Sequence, residues 1–113
     1  MSDCIFCRIA AGEVPAKILH SDEAVIAFAD VHPQAPTHVL VVPRAHHTSL
    51  ADVPPAEDAT LGRLLATCRE LAAVLGLRGG YRVVVNTGAD GGQTVSHLHL
   101  HLLGGRAMSW PPG

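Results

Sequence analysis

The 113-residue sequence lacks several features that membrane and nucleic-acid-binding proteins carry. No apolar run approaches the roughly 20 residues that a membrane-spanning helix needs. The 8 Lys and Arg are outnumbered by 10 Asp and Glu and form no cluster, so a basic surface for nucleic acid or lipid headgroups is not expected. The opening MSDCIFCRIAAGEV has neither the charged start nor the apolar stretch of a signal peptide. We therefore expect a cytoplasmic protein without nucleic-acid or membrane partners.

Cysteine is also scarce, and the odd count of 3 excludes a framework in which every cysteine is paired within the chain. Cys4 and Cys7 are three positions apart. In a reducing compartment such a pair is more typical of a metal site or of free thiols than of a disulfide. Cys68 lies on the apolar stripe of a predicted helix, so we expect it in the core.

The apolar pattern predicts one α+β domain over residues 1–113. Five strands are predicted at KILHS, AVIAFAD, HVLVVP, YRVVVN and SHLHLHLLGG. A helix is predicted between about Pro54 and Leu77. Its apolar stripe comprises Leu61, Leu64, Leu65, Cys68, Leu71, Ala72 and Leu75. We expect a mainly antiparallel sheet with this helix on one face, and solvent, a site or a second subunit on the other.

Histidine is abundant, and three of the eight histidines alternate with leucine in SHLHLHLLGG. A period of two puts the leucines on one face of a strand and His97, His99 and His101 on the other. A solvated strand face more often carries Thr, Lys or Glu, whereas imidazole titrates near neutral pH and serves as base, nucleophile or ligand. The alternation therefore indicates a functional site.

Strand geometry restricts what this triplet can do. At about 3.3 Å per residue, neighbouring histidines lie about 6.6 Å apart and the outer two about 13 Å apart. Two of them can share a metal ion, but three can do so only with ligands from elsewhere. A row of imidazoles along an extended anion fits better. The preceding loop GADGGQTVS supports this, since its glycines let backbone N–H groups approach phosphate oxygens.

SHLHLHLLGG resembles the His-x-His-x-His motif of the histidine triad superfamily, and the resemblance covers nearly the whole chain. FADVHPQAPTHVLVVP and the segment from GLRGG to the final WPPG are similar to the Hint branch, the nucleoside phosphoramidate hydrolases. The third position is His101, where the uridylyltransferase branch has glutamine. The resemblance implies a five-stranded, mainly antiparallel sheet with one long helix, joined across a homodimer.

The resemblance also implies roles for matching residues. His99 corresponds to the nucleophile, which attacks the α-phosphorus and forms a nucleotidyl-histidine that water resolves. His97 and His101 correspond to the flanking histidines that orient it and bind phosphate oxygens, and His38 to the histidine that assists proton transfer. The other implied nucleotide contacts are Asp30 and Val31 for ribose, Phe6, Ile9 and Phe28 for the purine, and Asn86, Gly92, Gln93 and Thr94 for the phosphate and leaving group.

Two further expectations follow from the resemblance, a structural zinc site and the position of Trp110, and a third follows from the sequence itself, that catalysis needs no cofactor. Some bacterial relatives that carry the Cys4–Cys7 pair complete a structural zinc site with a histidine after the VVP strand and the first triad histidine, here His46 or its neighbour His47, and His97. Catalysis itself is expected to need no cofactor, because the sequence shows no carboxylate cluster suited to magnesium. Trp110 is expected to pack near the active site of the opposite subunit.

The expected activity is hydrolysis of the P–N bond of purine nucleoside 5′-phosphoramidates, releasing nucleoside monophosphate and an amine. A dinucleoside polyphosphate hydrolase is one alternative, disfavoured by the WPPG ending. A nucleotide- or zinc-binding regulatory module is another, because binding and chemistry would use the same residues. A third is a zinc hydrolase with the triplet as ligands, which strong chelation would inactivate. His20 and His32 are expected to be ordinary surface or loop histidines.

Overall fold

The structure, a computed structural model, describes residues 3–113. Its five strands form one antiparallel sheet in the order β1-β2-β3-β5-β4. They are β1 (Ile18–Ser21), β2 (Val25–Ala29), β3 (Thr37–Pro43), β4 (Tyr81–Val84) and β5 (Leu100–Gly104). Helix α1 spans Ile5–Ala10, and the long helix α2 spans Asp58–Val74 after short 3-10 turns at Leu50–Asp52 and Pro55–Glu57. The predicted α+β architecture is confirmed, and no helix in this described range is long and apolar enough to cross a membrane.

Helix α2 covers one face of the sheet. Its buried residues Leu64, Cys68 and Leu71 pack against the inner side chains of the strands, together with Leu98, Leu100 and Leu102. The following core members complete this layer: Val25, Ala27, Val39, Val41 and Ala72. Burial raises the pKa of the Cys68 thiol to about 11, which keeps it protonated. The predicted stripe was too wide, because Leu65 and Leu75 are 54% and 37% exposed.

Helix α1 lies on the opposite face, and the sequence pattern did not predict it. Six residues are too few to show a helical period. Its buried residue Phe6 packs edge-to-face on Phe28, with ring centroids 5.4 Å apart, above Ile26, Leu40 and Val42. This second face of the sheet carries the site described below.

The histidine-rich strand begins later than its alternation predicted. Strand β5 starts at Leu100, so His97 and His99 precede the ladder. The reason lies in the neighbouring strand, which ends at Pro43 and lacks an N–H group there. The backbone N–H of Leu98 instead donates to the carbonyl of His47 at 2.7 Å. The expected burial of all three leucines is nevertheless observed.

Candidate functional site

A cavity of about 420 Å³ opens between α1 and the sheet. Its walls are mainly apolar, with a polar end formed by Asp30, Thr94, His99 and His101. Of the residues predicted to bind nucleotide, eight line it: Phe6, Ile9, Phe28, Asp30, Val31, Thr94, His99 and His101. An apolar slot with a few convergent polar groups at one end is the usual form of a small-ligand site.

The tautomer of His99 is fixed by a backbone carbonyl. Its Nδ1 lies 2.7 Å from the carbonyl oxygen of His97, so Nδ1–H donates to that oxygen. The neutral ring therefore carries its lone pair on Nε2. Only 4% of His99 is exposed, and the edge of Phe6 packs on it with centroids 5.1 Å apart. This imidazole is held rigidly with one nucleophilic nitrogen.

A chain of hydrogen bonds fixes the proton positions on His38 and His101. The backbone N–H of Gln34 donates to His38 Nδ1 at 3.0 Å, which leaves the ring proton on Nε2. His38 Nε2 lies 2.9 Å from His101 Nδ1 and 3.4 Å from a carboxylate oxygen of Asp30. His101 Nδ1 then accepts, and the proton of His101 resides on Nε2. That Nε2 is buried and has no protein partner in the described structure.

The imidazoles of His38 and His101 are both neutral at pH 7. Burial lowers the pKa of His38, although Asp30 opposes the effect. Burial, followed by the neighbouring His99 and His38, lowers the pKa of His101 to about 4. Buried polar groups without a partner are rare because they cost desolvation energy. The unpartnered His101 Nε2–H is therefore a donor suited to an anionic ligand atom.

A second cluster lies beside this site and contains Cys4, Cys7, His46 and His97. His97 Nδ1 lies 3.3 Å from the Cys4 sulfur, 3.5 Å from the Cys7 sulfur and 3.1 Å from His46 Nδ1. The Cys7 sulfur lies 3.3 Å from His46 Nδ1. A tetrahedral zinc with two sulfur and two nitrogen ligands has ligand–ligand edges of about 3.3–3.8 Å, so the spacing fits such an ion.

The hydrogen bonding of His97 also fits a metal ligand. Its Nε2–H donates to the carbonyl of Pro43 at 2.8 Å, which leaves the Nδ1 lone pair directed at the cysteines. An outer carbonyl of this kind is typical of metal-bound histidine. His97 is fully buried, and both of its ring nitrogens are engaged. The ring therefore has no nitrogen left for a phosphate oxygen, and the predicted phosphate contact of His97 needs correction. His97 contributes its backbone carbonyl to the neighbouring site, where that carbonyl accepts the Nδ1–H of His99.

The comparisons with known proteins agree with this arrangement. The family model for the HIT domain matches residues 11–108. The chain belongs to the HIT family. A HIT family hydrolase from Legionella pneumophila superimposes with a TM-score of 0.96 at 47% identity, covering 98% of this chain and all of that one.

Two other proteins that match this chain are described as binding zinc. A 14 kDa zinc-binding protein of Zea mays is 46% identical over 99% of this chain and 89% of its own length. A zinc-bound histidine triad family protein from Mycobacterium smegmatis has a TM-score of 0.83 at 33% identity, covering 92% of this chain and 76% of that one.

Three of the four residues predicted to contact the phosphate and leaving group fall outside the cavity. Asn86 and Gly92 do not line it, and Gly92 adopts a φ of +81° in a turn closed by a bond to Ala89. The Gln93 side chain is hydrogen-bonded both to its own loop and to the distant segment at Thr48. Its side-chain amide donates to the carbonyls of Thr48 and Val95 at 2.6 and 2.9 Å, and its oxygen accepts from Gly88. In this structure Gln93 braces the loop that carries Thr94.

Some groups that shape the site were not predicted from the sequence, because they belong to the backbone. The N–H of Gln34 fixes the tautomer of His38, and the carbonyl of Pro43 fixes that of His97. No pattern of side chains in the sequence predicts these two contacts. His32 was expected to be an ordinary loop residue, and it is exposed at the cavity rim. Its backbone N–H bonds Asp30 at 2.8 Å, which orients that carboxylate. Of the two candidate metal histidines, His46 joins the cysteines, whereas His47 lies 3.3 Å from Glu57.

Proposed function

We propose that this HIT protein hydrolyses the P–N bond of purine nucleoside 5′-phosphoramidates, as the Hint branch does. One observation carries the proposal: a lone pair on His99 Nε2 and an unpartnered Nε2–H on His101 belong to adjacent rings, 5.0 Å apart, in one cavity. A nucleophile beside a preorganised donor for a developing oxyanion is the arrangement that phosphoryl-type displacement requires.

In the first step His99 Nε2 attacks the α-phosphorus, and the P–N bond breaks as the N–P bond to histidine forms. The departing nitrogen takes up one proton, relayed from solvent through the Thr94 hydroxyl, and the water that later attacks the nucleotidyl-histidine returns one proton by the same route. His101 Nε2–H donates to a phosphoryl oxygen. Water then attacks the nucleotidyl-histidine, releasing the monophosphate and regenerating the neutral imidazole. The apolar walls at Phe6, Ile9 and Phe28 suit a purine, and Asp30 suits the ribose hydroxyls.

We also propose that Cys4, Cys7, His46 and His97 hold a structural zinc ion, supported by their donor set and spacing. When bound, zinc would join the N-terminal helix to the segment before β5. The reaction above uses none of its chemistry.

A homodimer joined along β4 is proposed as well. Strand β4 is one of the two edges of the sheet, and Tyr81 on it is 45% exposed. Val74 at the end of α2 and Trp110 in the C-terminal tail are 81% and 82% exposed. Sedimentation equilibrium tests this proposal, and a monomer mass at tens of micromolar would contradict it.

The activity is tested by mixing intact protein with adenosine 5′-phosphoramidate, quenching at neutral or alkaline pH and measuring the protein mass. We expect wild type to gain one adenylyl group while AMP accumulates. His99→Ala should show neither change. His20→Ala is the matched control, because that histidine lies outside the cavity and its side chain bonds Asp22.

Other outcomes would redirect the assignment. Turnover of a diadenosine polyphosphate much faster than of the phosphoramidate would favour the polyphosphate hydrolases. If the folded protein binds AMP but gives neither adduct nor AMP from the phosphoramidate, it is a nucleotide-binding module rather than this hydrolase.

A further inference from the structure

The cysteine–histidine cluster and the cavity are joined by two short structural connections. The first is helix α1: Cys4 is its N-cap, and Cys7 lies in its first turn. Between them is Phe6, which lines the cavity and packs on both Phe28 and His99. The second connection is His97, whose ring belongs to the cluster and whose carbonyl accepts the Nδ1–H of His99.

We infer that metal binding at Cys4, Cys7, His46 and His97 positions the neighbouring nucleotide site, by holding Phe6 against the cavity and His97 beneath His99. The inference rests on the proposed function insofar as it takes the cavity to bind nucleotide. In this inference, Phe6 and the His97 carbonyl are positioning groups. Metal binding then changes the affinity for the ligand as well as the stability of the fold.

The first turn of α1 needs an external restraint. An isolated helix of six residues is far below the length that is stable in water. At its C-terminal end, Arg44 donates to the carbonyl of Ala10 at 2.9 Å and to the carbonyl of Asp22 at 2.6 Å, which ties that end to the β1–β2 turn. The N-terminal end contains both cysteines, so the cluster is the corresponding restraint there. Without the metal, the turn that carries Phe6 keeps its packing on Phe28 and His99 but loses the four-ligand restraint at the N-terminal end of α1.

The decisive experiment compares zinc-bound wild type with His46→Ala. His46 is the exposed member of the cluster and does not line the 420 Å³ cavity, so its removal leaves the core intact. Zinc content is measured by atomic emission, AMP affinity by calorimetry and helix protection by amide hydrogen exchange. If α1 is ordered in only about one metal-free molecule in ten, the apparent Kd for AMP rises about tenfold. The amides of Arg8 and Ala11, which bond to Cys4 and Cys7, should exchange faster, while those of β3 and β5 remain protected.

Three variants separate positioning from general damage. His46→Cys keeps a donor set that binds zinc, so it should restore zinc content, helix protection and AMP affinity. His47→Ala removes the adjacent histidine, which lies outside the cluster, and should leave all three unchanged even if the melting temperature falls. Phe6→Ala should keep its zinc and still lose AMP affinity.

The outcomes are distinct. Zinc-free, folded His46→Ala with AMP affinity within twofold of wild type would overturn the inference. Faster exchange of α1 and weaker AMP binding, both reversed in His46→Cys, would support it. Zinc-loaded wild type that binds no AMP would instead contradict the proposed function, and the exchange data would still decide whether the metal holds α1.

Discussion

The two histidine clusters of this protein lie side by side but are built for opposite purposes. In the cysteine–histidine cluster, His97 Nδ1 and the Cys7 sulfur each lie 3.1 to 3.5 Å from other donor atoms of the cluster. In the His38–His101 pair, protons and lone pairs alternate in a line that ends on an unpartnered N–H. Convergent lone pairs suit a cation, whereas a terminal donor suits an anion. The comparison shows that hydrogen-bond partners, not the identity of the imidazole, decide what each histidine can bind.

The largest effect on kcat is expected when the unpartnered Nε2–H donor of His101 is removed. His101→Ala eliminates the unpartnered Nε2–H, and kcat for the phosphoramidate should fall by about 10²- to 10³-fold, as for the loss of one oxyanion donor. Its zinc content should equal that of wild type, because His101 is not in the metal cluster. Steady-state kinetics and metal analysis on the same preparation check both parts. Loss of zinc in this variant would mean that the two clusters are not separate.

A smaller loss of kcat is expected when His38, in the middle of the hydrogen-bonded chain, is replaced. His38→Ala leaves the ring proton of His101 undirected and should lower kcat about tenfold, with less change in KM. His38→Gln retains an N–H donor and should recover part of that loss. A full pH profile of kcat distinguishes this positioning role from a packing role, since packing damage would leave the profile shape unchanged. Equal rates for the two variants would argue against the directed proton.

The protonation of His101 should appear in the pH dependence of stability. Its folded pKa of about 4 is below the usual histidine value, so the unfolded state binds the proton first as pH falls. The stability associated with neutral His101 is therefore complete above about pH 6.5 and is lost progressively towards pH 4. Urea unfolding of zinc-loaded wild type and His101→Gln at pH 7 and pH 5 measures it. The variant should lose less stability between the two values, and parallel losses would contradict the shifted pKa.

The smallest effect on activity is expected from a substitution of Thr94, which lies between the cavity and the cysteine–histidine cluster. Thr94 and Val95 line both the 420 Å³ cavity and a more open 550 Å³ cleft that reaches Cys4 and His46. Thr94→Ser keeps the hydroxyl and removes one methyl group. We expect kcat/KM for bulky amine leaving groups to rise by less than about tenfold, the low end for one methyl in a pocket. Ammonia as leaving group should show no gain. Comparing the two substrates tests whether the leaving group departs towards this cleft.

The sequence pattern predicted the side-chain faces better than the extent of the strands. The leucine alternation identified Leu98, Leu100 and Leu102 as core correctly, because burial follows directly from apolar periodicity. It placed the strand start too early, since the ladder depends on the partner strand and Pro43 ends that partner. Helix α1 was missed because tertiary contacts and the cysteine cluster hold it, not its own propensity.

The site was predictable as a set of residues but not as a set of roles. The triplet and the Cys4–Cys7 pair were recognised by residue type and spacing, and His38 by the resemblance to the histidine triad superfamily. The ring-proton positions of His97 and His38 were not predicted, because they depend on backbone groups of Pro43 and Gln34 that any residue type offers. Such groups become partners only when distant segments fold together.

The long sequence separation within the cysteine–histidine cluster has a consequence for the order of events during synthesis. Cys4 and His97 are 93 positions apart, so the ribosome adds the first cysteine long before the last of the four ligands. The four-ligand site can form only after His97 has been added and β5 has paired with β3. Metal capture by all four ligands would then follow the pairing of β5, and a fragment that stops before His97 would hold the metal with at most three of them.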